Sequence, residues 1–268
     1  MEKNEFEQIK LQLNELAWNQ QKTAADLTAQ ITALQQNAAQ AANDIMRLER
    51  ELYYAHLVHD AIVQSSWLKD KTLNLFGWAA NYGFIYALYR ILDKVKPMNI
   101  LEMGVGQTTN LTSQYAAYHN PKAKLIVCEH DAEWFDRYKP ELPKTPNIEL
   151  RKFDLESFDY ENQTNYKYAG LVDAVSATKF DLIIIDGPIG NGFNLPRANI
   201  LDLIDSDCLA DDFVIIFDDA ERYGEQNTIA AAEQKLRDKG IEFAGFIRSA
   251  LKMQYFIVSK SREFIQYL

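Results

Sequence analysis

The sequence contains no glycine before Gly77 and no proline before Pro97. Because these two residue types most often interrupt helices, so long a stretch without either predicts continuous helix. Apolar and small residues within it recur at alternating steps of four and three, which is a heptad repeat. Its a positions are Ile31, Ala38, Ile45 and Leu52, and its d positions are Leu27, Leu34, Ala41 and Leu48.

A single helix with so narrow an apolar seam cannot bury that seam alone. At about 1.5 Å per residue, a helix of ~60 residues is about 90 Å long and exceeds the diameter of a small domain. We therefore expect residues 1–68 to form a coiled coil that joins copies of the chain into a homo-oligomer. The alternative is one long amphipathic helix that packs on its own globular domain, residues 69–268.

Beyond about residue 65 the sequence changes character. An aromatic-rich segment, predicted helical, leads to Pro97, and strand-like apolar runs then alternate with helical stretches. This alternation predicts an α/β, doubly wound, seven-stranded Rossmann-like sheet whose last two strands pair antiparallel. The predicted strands are 99–103, 124–129, 148–153, 180–187, 212–219, 241–247 and 253–259, and the predicted helices between them are 108–119, 131–139, 166–178, 196–207 and 224–239.

A glycine-rich turn, Glu102-Met103-Gly104-Val105-Gly106, follows the first predicted strand. The glycines let a ligand approach the backbone, but position 109 is threonine where the dinucleotide fingerprint has its third glycine. A carboxylate beside the turn would repel a pyrophosphate and suit a ligand with an ammonium and a sulfonium. The turn therefore favours S-adenosylmethionine over a dinucleotide.

The ends of the next two predicted strands carry further candidate cofactor contacts. Glu129 ends the second strand and can accept both ribose hydroxyls, although this feature serves NAD equally well. His130 follows it and is a candidate for the adenine pocket. Asp154, after the third strand, is placed where it could meet the adenine, and a turn residue is its plainer interpretation.

The chain at this point resembles the class I S-adenosylmethionine-dependent methyltransferases. The resemblance rests on the E-x-G-x-G-x-T-T turn, the acidic end of strand two, IDGPIG after strand four and FDDAERYGE after strand five, and it covers roughly residues 70–260. Within that family the chain is similar to a subgroup associated with bacterial polysaccharide and other glycan biosynthesis. The resemblance implies cofactor contacts for Glu102, Gly104, Gly106, Thr108 and Glu129, and an aromatic face near Trp78 over the methionine end of the cofactor.

Three aspartates end the fourth and fifth predicted strands: Asp186, Asp218 and Asp219. In one interpretation they bind a divalent cation such as Mg²⁺, as in catechol-type O-methyltransferases, and the metal makes the reacting hydroxyl more acidic. The lysine that those enzymes carry three residues after the first aspartate is replaced here by Ile189.

In the other interpretation no metal takes part. Asp186 acts as general base or orients the acceptor hydroxyl, and it also contacts the cofactor. Charged side chains around it bind a sugar. We assign catalytic roles to Asp186, Asp219 and Arg222, and substrate contacts to Arg197, Asp218 and Glu225. For Asp218 and Asp219 the simpler alternative is capping of the following helix.

Composition narrows the class of function. A net charge of −10 over 268 residues argues against nucleic acid as a partner. No run approaches the roughly 18–20 apolar residues that span a bilayer. Two isolated cysteines without a disulfide framework suggest a reducing compartment, the cytoplasm. We expect an O-methyltransferase acting on a sugar or glycan acceptor, docked by its coiled coil beside a glycosyltransferase. The alternatives are a nicotinamide-dependent oxidoreductase and an inert methyltransferase-like domain on a coiled-coil scaffold.

Overall fold

A computed structural model of the protein describes residues 2–75 and 79–268. Trp78, predicted to face the cofactor, lies outside the described residues. Contacts between residues divide the chain into two units, Met1–Leu48 and Glu49–Leu268. The boundary therefore falls inside the N-terminal helix and some twenty residues before the predicted one at residue 68.

The N-terminal segment is one helix, α1, which runs from Glu2 to Gln64. This confirms the helix that the absence of glycine and proline predicts. Within the first unit the apolar heptad positions are exposed, with 55% of Ile31, 67% of Leu34 and 51% of Leu48 accessible. The coiled coil itself stays a prediction.

Within the described residues of the second unit there are six more α-helices. Most are short, and α3 continues directly into a π-helical turn at Tyr115–His119. The helices are α2 (Tyr82–Lys94), α3 (Gln107–Gln114), α4 (Ala132–Tyr138), α5 (Leu171–Val175), α6 (Asn199–Asp205) and α7 (Tyr223–Asp238), and a 3₁₀ segment follows at Lys260–Tyr267.

The residues that the structure describes include nine strands, of which seven form one sheet and two form a separate antiparallel hairpin. The strands are β1 (Asn99–Met103), β2 (Lys124–Glu129), β3 (Ile148–Lys152), β4 (Leu155–Tyr160), β5 (Gln163–Tyr168), β6 (Phe180–Ile185), β7 (Leu209–Phe217), β8 (Phe243–Ser249) and β9 (Met253–Ser259). The large sheet has the order β3-β2-β1-β6-β7-β9-β8. Its first five strands are parallel, and β9 pairs antiparallel with both β7 and β8. The predicted doubly wound, seven-stranded sheet is thus confirmed.

Both faces of this sheet are covered by apolar layers, as the continuous apolar strands predict. One layer joins α2, α3 and the end of α1 to alternate strand residues such as Ile100 and Ile184. The other joins α5, α6 and α7 to the intervening residues, such as Leu101 and Ile185. The strand order reverses between β1 and β6, so the ligand crevice of this architecture is expected at their carboxyl ends.

Two predicted helices are wrong in part. The helix expected over 166–178 is strand β5 up to Tyr168 and a helix only at Leu171–Val175, because Gly170 adopts a left-handed conformation (φ 66°) between them. The helix expected before Pro97 begins only at Tyr82, where the Asn81 side chain caps it. In the described part of the chain, no helix is long and apolar enough to cross a membrane.

Candidate active site

A cleft of about 480 Å³ opens at the carboxyl ends of β1, β2 and β6. The glycine turn and the end of β2 form one side of it. Charged residues from the loops after β6, β7 and β8 form the other side. The cleft therefore lies at the reversal of strand order, where the topology predicts a ligand.

The two glycines of the turn have different roles. Gly104 has φ 97°, and a Cβ there would lie 3.0 Å from the Asp186 carbonyl carbon and the Gly187 nitrogen. It is needed because β1 and β6 approach each other closely. Gly106 lines the cleft, and a Cβ there would meet no protein atom within 4 Å. The space beside Gly106 is thus left open for a ligand.

Glu102 does not face this cleft, contrary to its predicted contact with the cofactor. It is fully buried, and its carboxylate accepts hydrogen bonds from the Thr108, Thr109 and Thr112 hydroxyls at 2.6, 2.8 and 2.6 Å. Burial raises its pKa to about 7, against the opposing effect of these hydroxyls. Glu102 and Thr108 therefore fasten α3 to β1 beneath the turn.

Glu129, predicted to bind the cofactor ribose, lines the cleft. Its Oε2 accepts a hydrogen bond from the Val105 N–H at 3.0 Å, and its Oε1 accepts from the His130 and Asp131 N–H groups at 2.7 and 2.8 Å. Burial raises its pKa, but these hydrogen bonds and the His130 ring outweigh burial and bring the pKa below its ordinary value. The side chain is thus a fixed carboxylate on the side of the cleft that the end of β2 forms.

Aromatic rings line the same cleft as this carboxylate. His130 lines the cleft together with Trp134 and Tyr138 of α4, whose ring centroids are 5.4 Å apart, and with Tyr168 of β5. Asp154, predicted near the adenine, is exposed and does not belong to the lining. The sequence analysis did not single out Trp134 and Tyr138, although α4 follows β2 directly along the chain. Tyr168 was missed because only the fold brings β5 to the end of β2.

The three predicted aspartates do come together. One carboxylate oxygen from each of Asp186, Asp218 and Asp219 lies within 4.8 Å of the others. Asp186 and Asp219 line the cleft, whereas Asp218 is fully buried beneath it. The predicted substrate contact of Asp218 is therefore not supported by its position.

Arg197 ties this group together from the loop after β6. It is 3% exposed and donates to the Asp218 carbonyl and the Asp219 carboxylate, both at 2.9 Å. A longer contact of 3.4 Å joins it to Asp186.

Arg222 and Glu225 complete the charged side. Arg222 lies 2.8 Å from Asp219 and 3.5 Å from Glu225, and only Arg222 of these two lines the cleft. Glu225, predicted to contact the substrate, is buried and lies outside the cleft lining. Helix α7 begins after Arg222 with no side-chain cap, so Asp219 is not its capping residue.

Two further residues of this group were missed by the sequence analysis. Lys252, at the end of the β8–β9 loop, lies 3.3 Å from Asp218 and 3.5 Å from Asp219 and lines the cleft. The Gln254 amide donates to both Asp218 and Asn81, at 2.7 and 2.9 Å. Lys252 and Asp218 are 34 residues apart, and no spacing rule links them.

Asp186 and Asp219 have pKa values that are shifted in opposite directions by their surroundings. Burial and the charge of Asp218 raise the pKa of Asp186 to about 8, against the effect of Arg197 and Lys252. Burial also acts on Asp219, but Arg197, Lys252 and Arg222 outweigh it and bring its pKa below the ordinary value. Asp186 is consequently the carboxylate suited to exchange a proton near neutral pH.

No protein-family model matches the chain. It is 26% identical over 131 residues to arabinogalactan O-methyltransferase 1 of Arabidopsis thaliana, a match that covers 41% of this chain and 44% of that protein. The chain thus spans less than half the length of this relative.

Similar solved structures include a methyltransferase from Geobacter sulfurreducens, with 15% identity and a TM-score of 0.44 over 66% of this chain and 77% of that one. Another is the O-methyltransferase TomG from Streptomyces achromogenes in complex with SAM, with 11% identity and a TM-score of 0.46 over 81% and 98%.

Proposed function

We propose that the protein is an S-adenosylmethionine-dependent O-methyltransferase. The observation that carries the proposal is the turn after β1, where Glu129 binds the Val105 N–H and Gly106 leaves open space beside it. A carboxylate fixed in that place suits ribose hydroxyls, and the open space suits the body of the cofactor.

The same turn argues against a dinucleotide. A pyrophosphate needs the free N–H groups of the turn and of the helix start. Here Glu129 occupies the Val105 N–H, and the Thr109 hydroxyl accepts from the Gly106 N–H at 3.0 Å. The negative charge of Glu129 would also repel a diphosphate. The alternative of a nicotinamide-dependent oxidoreductase is therefore not favoured.

S-Adenosylmethionine, when bound, supplies a methyl group on a positively charged sulfur that an oxygen nucleophile can attack. Glu129 would hold its ribose, and His130 and Trp134 would border its adenine. The charged side of the cleft then faces the acceptor. Asp186 takes the proton of the acceptor hydroxyl, and Asp219 and Arg222 orient the acceptor beside it.

A sugar-containing acceptor is the substrate class that we propose. The cleft presents the carboxylates of Asp186 and Asp219 beside the cations of Arg222 and Lys252, which suits a ligand with several hydroxyls. The partial similarity to arabinogalactan O-methyltransferase 1 supports an acceptor of this kind. The cationic groups also suit an acidic substituent on the sugar.

The test is transfer of labelled methyl groups from S-adenosylmethionine to a panel of neutral and acidic polysaccharides. We expect label that resists mild alkali, because a methyl ether is stable where a methyl ester is cleaved. The Asp186→Asn variant should lose the transfer, and the Lys179→Ala variant, altered outside the cleft, should keep it. Alkali-labile label, or label confined to amino groups, would contradict O-methylation of a hydroxyl.

We further propose that a second copy of the chain covers the exposed stripe of α1. Isoleucine at a and leucine at d positions make the stripe complementary to itself. In analytical ultracentrifugation the full chain should sediment as an oligomer, and Leu34→Lys should shift it towards the monomer. The control is Thr32→Lys, an exposed position on the same helix but outside the stripe. An unchanged mass for Leu34→Lys would contradict the proposal.

A further inference from the structure

Three converging aspartates suit a divalent cation by their chemistry alone. Magnesium and calcium take oxygen ligands at about 2.0–2.6 Å, and carboxylates are their usual protein ligands. In this chain, however, each of the three carboxylates contacts a side-chain cation. Whether the triad of Asp186, Asp218 and Asp219 fits a metal therefore depends on those contacts.

Asp218 is the most completely engaged of the three. Its Oδ1 accepts from the Gln254 amide at 2.7 Å, and its Oδ2 lies 3.3 Å from the Lys252 ammonium. It is fully buried and outside the cleft lining. Both oxygens would have to leave fixed partners before they could bind a metal.

Asp219 is surrounded by positive charge. Its Oδ2 lies 2.9 Å from Arg197 and 2.8 Å from Arg222, and its Oδ1 lies 3.5 Å from Lys252. A doubly charged ion between these oxygens would stand within a few ångströms of these cations. The repulsion would be strong because Asp218, Asp219 and Arg197 are buried. The residues present therefore do not fit a divalent metal.

We propose that the Lys252 ammonium is the cation that neutralises this aspartate triad, and that the reaction needs no divalent metal ion. The ammonium takes the place that a divalent ion has in sites where three such aspartates bind metal. The inference rests on the proposed methyl transfer. Lys252 is suited to the place because its ammonium bridges Asp218 and Asp219 and also borders the cleft. Its positive charge favours the ionised form of an acceptor oxygen, which is the contribution a metal would make.

The local structure holds this lysine in position. The loop that carries it is fastened by the Leu251 N–H, which donates to Glu51 of α1 at 3.2 Å. Within the loop, the Ala250 N–H donates to the Lys252 carbonyl at 3.0 Å. The backbone that carries Lys252 is thereby held by main-chain contacts, and its ammonium is held by its own ion pairs.

The experiment is a Mn²⁺ titration followed by electron paramagnetic resonance on the full chain, above the pKa of Asp186. The variants are Lys252→Ala, Lys252→Met and the double variant Lys252→Ala/Asp218→Asn. Lys252→Met keeps the aliphatic stem in case the alanine variant fails to fold. The matched control is Lys235→Ala, which removes a partly exposed lysine paired with Asp205, away from the triad.

The wild-type protein and Lys235→Ala should leave the spectrum of free Mn²⁺ unchanged. Loss of the ammonium should create a site that binds Mn²⁺ about tenfold or more tightly than wild type, and Asp218→Asn should abolish it. Tight Mn²⁺ binding by the wild-type protein would overturn the proposal. So would the absence of a gain in a folded Lys252 variant.

Binding of S-adenosylhomocysteine is measured on the same samples. Failure of that binding would count against the proposed methyltransferase, whereas the Mn²⁺ result reports on Lys252 alone. The two failures are thus distinguishable.

Discussion

Arg197 donates to Asp219 across 2.9 Å, and both residues hold a left-handed backbone, with φ of 58° and 57°. Each such conformation costs of order 1–3 kcal/mol for a residue other than glycine. Two of them in one buried ion pair show that the surrounding structure keeps both loops in a strained form. The strain lies at the end of the cleft where we place the acceptor.

Replacement of this arginine by lysine should destabilise the protein. Arg197→Lys removes the planar guanidinium that reaches the Asp218 carbonyl and the Asp219 carboxylate at once. We expect a loss of about 3 kcal/mol in the free energy of unfolding, because buried carboxylates then lose their partner. Urea denaturation measures this, with the exposed Arg237→Lys as control. Equal stability of the two variants would be inconsistent with this role of Arg197.

Glu102 should make the stability depend on pH. Its pKa is raised from 4.5 to about 7 by burial, so between these values the folded state binds a proton that the unfolded state releases. The free energy of unfolding therefore falls as the pH rises through this window, by up to about 3 kcal/mol. Glu102→Gln should flatten the decline, measured by urea denaturation at several pH values, and an undiminished slope in this variant would refute the assignment.

Glu51 should stabilise the contacts of the end of α1 with the start of α2 and with the β8–β9 loop. Its carboxylate accepts from the Asn81 amide at 2.7 Å, the Tyr82 N–H at 2.5 Å and the Leu251 N–H at 3.2 Å. Glu51→Gln should lower the free energy of unfolding by about 2 kcal/mol, because an amide cannot accept all three hydrogen bonds. The control is Glu49→Gln on the exposed side of the same helix, which should differ from wild type by less than about 0.5 kcal/mol.

Asp186 should set the pH dependence of the reaction. With its pKa raised to about 8, the basic form is the minor one at neutral pH, so kcat/KM should rise with pH and level off above about 8. Asp186→Asn should lower kcat by about 10²–10⁴-fold and remove this step from the profile. A variant that keeps the wild-type profile would assign the proton transfer to another group.

The sequence was most informative where one local pattern decides the structure. The continuous apolar runs of β1 and β2 predict both strands at their observed bounds, because a short apolar run of this length is typical of a buried strand. The hairpin β4–β5 was missed because its turn, Glu161-Asn162, lacks glycine although both residues have positive φ.

In the site, the sequence predicts which residues end the strands but not which side chains contact each other. The meeting of Asp186 and Asp219 follows from parallel strands, whose carboxyl ends share one edge. The glycine turn alone does not reveal that alternation along β1 turns the Glu102 side chain towards the threonines of α3 rather than the cleft. Lys252 reaches the site from the β8–β9 loop, and only the pairing of β9 with β7 brings it there.

The most direct measurement is isothermal titration of the purified full chain with S-adenosylhomocysteine and, separately, with NADH. We predict binding of S-adenosylhomocysteine alone. This binding should be lost in Glu129→Ala and in Gly106→Leu, whose side chain would fill the open space in the cleft. Glu141→Ala, an exposed change outside the cleft lining, should bind as wild type does. Binding of NADH instead, or of neither compound, would contradict the assignment of this cleft to S-adenosylmethionine.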